Sequence, residues 1–189
     1  MSKGKCIIFS APSGSGKTTL VKHLLDQNDL NLAFSISATT RKKREGETEG
    51  VDYLFKTILE FQNLITNKEL LEFEEVYENV FYGTLKREAE ELLKTRNVIF
   101  DIDVHGGLKL KQYFKSKAIS VFVKPPSVDE LQRRLISRNK DTIESIQTRV
   151  LKAHKEISKG TDFDKIIVND NLDTARLKAF NVVKKFILQ

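Results

Sequence analysis

The stretch Ala11-Pro12-Ser13-Gly14-Ser15-Gly16-Lys17-Thr18 concentrates the residue types with the most chemical potential in the chain. Gly14 and Gly16 let successive backbone N–H groups wrap an anion, Lys17 can neutralise phosphate oxygens, and the Thr18 hydroxyl suits a Mg²⁺ ion. The apolar run Cys6-Ile7-Ile8-Phe9 precedes the segment, and the stripe Leu20, Val21, Leu24 and Leu25 follows it. A strand and a helix therefore flank the loop, the context that separates a phosphate loop from a Gly/Ser-rich turn ahead of an ordinary helix. Ala11 stands where the usual pattern has Gly, a mild departure because the positions nearest the phosphate are kept. A nucleoside triphosphate bound over residues 11–18, with Thr19 next in the helix, is the expected ligand.

Further on, Val98-Ile99-Phe100-Asp101-Ile102-Asp103 reads as an apolar strand ending in carboxylates. Beside a phosphate loop, Asp101 is expected to serve Mg²⁺ through water while Thr18 meets the ion directly. A strand tip whose aspartate caps the next helix is the plainer alternative.

The elements that must hold these groups read as alternating strands and helices. Strands are expected at Lys5 to Ala11, Phe34 to Ala38, Asn97 to Asp103, Ala118 to Val123 and Lys165 to Val168. Helical stripes run through Leu85, Ala89, Leu92 and Leu93, through Val128, Leu131 and Leu135, through Ile143, Ile146, Val150 and Ile157, and through Ala175, Ala179, Val183 and Phe186. Alternation of this kind predicts an α/β fold, a parallel sheet flanked by helices with ligands beyond the carboxyl ends of the strands. Two stretches interrupt it. From about Phe34 to Thr95 the basic run Arg41-Lys42-Lys43-Arg44 and short strand-like pieces at Tyr53-Leu54-Phe55 and Leu70 to Val76 predict an inserted α+β subdomain. Arg138-Asn139-Lys140-Asp141-Thr142 predicts a polar flap between two helices, the first opened by a Ser127/Glu130 capping box.

Composition narrows the setting. With 189 residues, 40% apolar and 31% charged, the chain can bury a core and is not a disordered polymer. No apolar run approaches the ~20 residues of a membrane span, and the N-terminus lacks the pattern of an export signal. The single Cys6 sits in an apolar run and fits a reducing cytoplasm, and His23, His105 and His154 are too scattered to suggest zinc. The excess of 32 Lys and Arg over 26 Asp and Glu would suit nucleic acid, a membrane surface or small anions, and charge alone does not choose among them.

The full series of motifs resembles the guanylate kinase family of P-loop kinases, which phosphorylate GMP at the expense of ATP. Beyond the loop, it comprises Phe34-Ser35-Ile36-Ser37-Ala38-Thr39-Thr40-Arg41-Lys42-Lys43-Arg44, Gly46-Glu47, Gly50-Val51-Asp52-Tyr53, Tyr82-Gly83-Thr84, Asp101-Ile102-Asp103, Ser137-Arg138 and Ile167-Val168-Asn169-Asp170. The resemblance implies a P-loop nucleotide-binding core at 1–33 and 94–189, a GMP-binding α+β subdomain at 34–93 and a helical lid at about 138–150. It implies that Ser37, Arg41, Arg44, Tyr53, Glu72, Tyr82, Thr84 and Asp103 meet GMP. It likewise implies that Lys17, Arg138 and Arg149 meet the transferring phosphates and that Asn169 lies near adenine, although a turn-forming Asn is a close alternative.

Each assignment has a physical rationale. Arg41 and Arg44 can offer two guanidinium forks to one phosphate, with Tyr53 and Tyr82 adding phenolic donors. Guanine presents N1–H and N2–H₂ as donors, which the carboxylates Glu72 and Asp103 would select, while hydroxyls at Ser37 and Thr84 could donate to O6. Between Glu72 and Tyr82 the chain has one residue more than the common family spacing, so Glu75 or Glu74 competes for the role of reader. His105 replaces the usual Gln and is expected to pack at a helix start, and Asn139-Lys140 replaces a small turn after the lid arginine. Arg134 and Arg138, four apart, share a helix face. Because the second phosphate pKa is near 6, the acceptor phosphate is already ionised and no general base is needed. Catalysis then reduces to aligning two anions and neutralising the transferred group, with Mg²⁺ as cofactor and ATP and GMP as partners. Neither nucleic acid nor membrane is an expected partner, and no oligomeric state is read from the sequence. Three rivals remain: a catalytically silent domain of the same fold binding a phosphorylated partner, a same-fold kinase for another phosphorylated acceptor, and nucleic-acid binding, which is disfavoured because anionic substrates already explain the positive charge.

Overall fold

The computed structural model describes residues 4–138 and 142–189. Along the chain run β1 (Cys6–Ser10), α1 (Lys17–Leu25), β2 (Leu32–Phe34), β3 (Ala38–Thr39), β4 (Leu54–Phe55), α2 (Ile58–Thr66), β5 (Leu70–Tyr77), β6 (Val80–Leu85) and α3 (Lys86–Leu92). They continue as β7 (Asn97–Ile102), α4 (Val104–Phe114), β8 (Ala118–Lys124), α5 (Val128–Ser137), α6 (Ile143–Ser158), β9 (Lys165–Val168) and α7 (Leu172–Ile187).

The larger sheet is parallel throughout, in the order β2-β7-β1-β8-β9. Every residue of β1 is buried, as a central strand covered on both faces requires. Ile7 and Phe9 point to the layer formed by α1 and α7, with Leu20, Leu24, Ala179 and Val183. Cys6 and Ile8 point to the opposite layer, with Ala89 and Leu93 on the α3 side and Leu110 on α4. The two-residue period of the strand thus sorts its side chains into two cores.

The strand expected at Phe34 to Ala38 is instead divided between two sheets. Ser35 N–H still bonds to the Ile99 carbonyl (3.0 Å) at the end of β2, whereas the Ser37 carbonyl accepts from Leu54 N–H (2.9 Å), already in the second sheet. One apolar run therefore carries the chain from one sheet to the other. That second sheet has the order β4-β3-β6-β5, and α2 packs on it through Phe61, whose ring stacks on Phe81 at 5.4 Å.

Two helices had no clear stripe in the sequence. The exposed apolar residues Ile58 and Leu59 blur the face of α2, which starts with a complete capping box of Thr57 and Glu60. In α4 the pair Gly106-Gly107 weakens the helical signal but is required by packing: a Cβ on Gly107 would lie 2.2 Å from Ser10 Oγ. At α5 only half of the expected capping box forms. Ser127 Oγ accepts from Glu130 N–H (3.1 Å), but the Glu130 side chain turns to Arg133 and Arg134. Helices α5 and α6 pack through Leu131, Leu135, Ile146 and Ala153. Asn139, Lys140 and Asp141, the centre of the expected flap, lie outside the described residues. Among the described residues no helix is long and apolar enough to cross a membrane.

Candidate active site

Beyond the carboxyl ends of β1 and β7 lies a cavity of about 340 Å³, bordered by the 11–18 loop, by the second sheet and by α6. The loop turns on Gly14 and Gly16, with φ of 93° and 88°, a left-handed conformation that side chains with a Cβ adopt only under strain. Gly16 is the N-cap of α1, so the loop delivers its N–H groups at the positive end of a helix. Ala11 is buried and takes its place in the core beside Leu20, so the loop accommodates its methyl group.

Lys17 Nζ lies 2.6 Å from Asp101 Oδ1 and donates to the Ile102 carbonyl at 2.6 Å, and Thr18 Oγ1 donates to Asp101 Oδ2 at 2.8 Å. The loop and the end of β7 thus form one polar cluster, in which a hydroxyl and a carboxylate supply the hard oxygen donors that Mg²⁺ prefers. On α6, Arg149 Nη1 donates to Ser13 Oγ at 2.7 Å. Asn169 is only 4% exposed, and its Nδ2 donates to the Ser15 carbonyl at 2.8 Å, so the side chain braces the loop from behind. Thr19 is exposed on the first turn of α1.

The opposite wall comes from the second sheet. Glu72, 5% exposed, lies beside the cavity and accepts from Thr84 Oγ1 at 2.6 Å, its partner across the β5–β6 register. Gly106 makes room for it, since a Cβ there would lie 2.7 Å from Glu72 Oε2. Burial pushes the Glu72 carboxyl up to about 7, against the pull of the Thr84 hydrogen bond. The extra residue anticipated before Tyr82 is absorbed by a register irregularity between Glu75 and Tyr77 and by the turn at Asn79, whose φ is 60°. Glu75 is exposed and accepts from Asn79 N–H (2.8 Å), away from the cavity.

Asp103 lines the cavity and also caps α4, accepting from His105 N–H (2.8 Å) and Gly106 N–H (3.1 Å), so the plainer role foreseen for it is real alongside its place in the wall. Glu74 Oε2 is buried, and no N–H or O–H of the described residues reaches it. Its neighbour is the Asp103 carboxyl, a pairing that holds while one proton is shared. Burial and this neighbour push Glu74 up to about 7. Burial also opposes the charge on Asp103, but hydrogen bonds from Glu74 and the Gly106 N–H, together with Lys17, hold its carboxyl below the usual range.

Ser37, Tyr53 and Tyr82 line the cavity as well. Arg41 sits against them: Nε donates to Tyr82 Oη at 3.0 Å, and the guanidinium lies over the Tyr53 ring at 5.2 Å. Its fork is held by Glu47 at 3.0 and 2.7 Å, a carboxylate that also accepts from Arg44 N–H at 2.8 Å. The Arg44 side chain is exposed and does not line the cavity, so the two forks do not converge here. Arg138 is likewise exposed, at the C-cap of α5 and outside the cavity wall. Arg134 is committed to Glu130 (2.9 Å) and to the Asn169 carbonyl (3.1 Å). His105 is exposed, its ring 3.1 Å from Lys159 Nζ.

Lys152 and Glu156 on α6 also line the cavity, and sequence reasoning passed over both. Their signal was a spacing: they follow Arg149 by three and seven residues, one helix face.

A family model described as "Guanylate kinase" matches residues 3–187. The chain is 52% identical over 186 residues to a guanylate kinase of Bacteroides fragilis, covering 98% of this chain and 91% of that one. It is 46% identical over 184 residues to a guanylate kinase of Porphyromonas gingivalis, covering 97% and 98%. Among solved structures it is similar to guanylate kinase from Anaplasma phagocytophilum, with a TM-score of 0.80 and 30% identity over 100% of this chain and 89% of the other. A shikimate kinase from Bacteroides thetaiotaomicron, at TM-score 0.53 and 14% identity over 98% and 99% of the two chains, shares the fold alone.

Proposed function

The chain belongs to the guanylate kinase family, and on that premise we propose how its cavity divides the work of one reaction. The enzyme transfers the γ-phosphoryl group of ATP to the phosphate of GMP, yielding ADP and GDP. The observation that carries the reading is a single cavity with the cationic 11–18 loop at one wall and the buried Glu72–Thr84 pair at the other.

Residues 11–18, with Thr19, hold the triphosphate of ATP, and Asn169 serves that site by bracing Ser15. Lys17 and Arg149 face the transferring group, and Arg138 joins them as the lid, about 138–150, moves over the site. An oxygen of the GMP phosphate forms a bond to the γ-phosphorus as the bond to the β–γ bridging oxygen breaks, its electron pair leaving with ADP. The acceptor oxygen is ionised beforehand, so no side chain takes a proton. Thr18 would hold Mg²⁺ directly and Asp101 through water, and the ion when bound neutralises phosphate charge.

The segment 34–93 acts as the GMP-binding subdomain. Arg41, Tyr53 and Tyr82 take the GMP phosphate, Arg44 joining them once its exposed loop turns toward the cavity, and Glu72 and Asp103 accept from guanine N1–H and N2–H₂. Thr84 spends its hydroxyl proton on Glu72, which leaves guanine O6 to Ser37. Adenine lacks the donors that satisfy these carboxylates and leaves them buried and unpaired. The single, buried Cys6 suits a reducing cytoplasm as the site of the reaction.

The test is ADP formation from Mg·ATP with GMP, dGMP, AMP, CMP, UMP or no acceptor, beside Lys17→Ala. Turnover confined to the guanine nucleotides and absent from the variant is expected. Equal turnover with AMP would remove the base-reading assignment, and an active Lys17→Ala would remove the loop assignment.

A further inference from the structure

Glu74 stands two residues beyond Glu72 on β5, so both side chains leave the strand on one face. Glu72 has Thr84 as its partner and a place in the GMP site, whereas the roles proposed so far leave Glu74 unused although its Oε2 is buried. Its cationic neighbour comes from a different part of the molecule. Lys152 Nζ, on the cavity face of α6, lies 3.8 Å from Glu74 Oε1 and 3.8 Å from Glu156 Oε1. At this separation the attraction is that of charges rather than of a hydrogen bond, so it is present once Glu74 is ionised, above about pH 7, and the half-exposed Lys152 leaves it partly screened by water. Arg149, one turn earlier on the same face, already reaches Ser13 of the loop. Helix α6 is thus tied at one turn to the ATP side of the cavity and at the next to the sheet that carries GMP.

We infer that Glu74 and Lys152 are positioning residues that fasten helix α6 to the GMP-binding sheet, so that the lid closes on a sheet already in place around the acceptor. This rests on the guanylate kinase reading of the cavity. Neither residue touches the reacting atoms in this proposal. Their contribution falls on how well the closed cavity retains GMP, while Mg·ATP held by the loop alone does not depend on the pair.

Steady-state kinetics at about pH 8, where Glu74 is ionised, with GMP as the varied substrate test the pair through Glu74→Gln, Lys152→Met and the double variant, with Mg·ATP affinity measured in the absence of GMP. Each single variant is expected to raise KM for GMP about threefold to fivefold, with kcat and Mg·ATP affinity each within about twofold. The double variant is expected to be no worse than about twice the weaker single variant, because the second change removes a partner already lost. Lys152→Arg keeps the charge and is expected to restore KM to within about twofold of wild type. Multiplying effects in the double variant, an unmoved KM, or a loss confined to Mg·ATP affinity would each overturn the pairing. Wild-type protein inactive on GMP would instead overturn the reading on which the proposal rests, so the two failures are told apart.

Discussion

The loop at 11–18 and the second sheet, the proposed GMP wall, face each other across one cavity but are built on opposite principles. The loop is local: eight consecutive residues, two glycines at positive φ, and a lysine and threonine already paired with Asp101. The binding groups proposed for it are largely backbone N–H, which need no burial of charge to be positioned. The GMP wall is assembled from β3, β4, β5, β6 and β7, elements spread over some sixty residues, and it keeps carboxyl groups where water is scarce. Glu72 and Glu74 are both pushed up to about 7, first of all by burial. On the proposed reading, triphosphate binding is built from a tight turn, whereas discrimination of a base requires carboxylates held at a cost to stability, which Thr84 offsets in part for Glu72 and bound guanine would offset further.

The largest effect separates the two walls by chemistry. In the proposed reading Lys17 faces the transferred phosphoryl group, so Lys17→Ala is expected to lower kcat about 10³-fold while GMP binding measured alone stays within about threefold. The thermal midpoint should move by only a few degrees, since Lys17 is not part of a core. A comparable loss of GMP affinity would show that the walls are not separable in this way.

Glu72→Gln probes the other wall and should act in two directions at once. Gln can still accept from Thr84 but lacks the charge that guanine N–H groups select, so kcat/KM for GMP is expected to fall about 10²-fold. Stability should rise. The Glu72 carboxyl goes from an ordinary value of 4.5 to about 7 on folding, so between those pH values the folded chain binds more protons than the unfolded one. Stability therefore falls as pH rises through that window, by roughly 3 kcal/mol for a shift of this size. Gln escapes the loss, and its advantage in denaturant titrations should be present at pH 8 and absent at pH 4. A variant less stable than wild type at pH 8 would contradict the burial of an uncompensated charge.

The same shift predicts a pH profile. As Glu72 ionises, kcat/KM for GMP should rise between pH 6 and 8 with a step near 7, in addition to the step near 6 expected from the phosphate itself. Glu72→Gln should keep only the lower step. Two steps persisting in the variant would assign the upper one to another group, Glu74 being the nearest by its own raised pKa.

The contrast between the walls also governs what the sequence disclosed. The loop, the central strands and the flanking helices α1, α5, α6 and α7 were legible because their signals are contiguous: a motif of eight residues, or one periodic stripe. Residues 34–38 misled because strand propensity does not say which sheet a strand joins, and the chain changes sheets within them. Helix α4 was obscured by Gly106 and Gly107, whose lack of side chains serves Glu72 and Ser10 rather than helix formation. Between Glu72 and Glu75, spacing left the choice open, and only the strand register puts Glu72 beside Thr84 and Glu75 opposite Phe81, its exposed carboxylate bonded to the turn at Asn79. Arg44 and Arg138 carry the right chemistry in sequence yet stand outside the cavity wall, because a motif specifies a residue type and not the position of a lid or loop.

The smallest expected effect tests whether the loop is as self-contained as its sequence suggests. Asn169 arrives from the end of β9, more than 150 residues away, and donates its buried amide to the Ser15 carbonyl. It also stands so close that a Cβ on Gly16 would lie 2.3 Å from its Nδ2, so the glycine is required by its brace as well as by its φ. Asn169→Ala would leave a buried carbonyl unpaired at a cost of about 1–3 kcal/mol and loosen the turn. KM for Mg·ATP is expected to rise about threefold to tenfold, with KM for GMP within about twofold. If both constants rise together, the loop and the GMP wall are coupled through the core sheet; if neither moves, the loop holds its shape through its glycines and the start of α1 alone, and Asn169 matters only for stability.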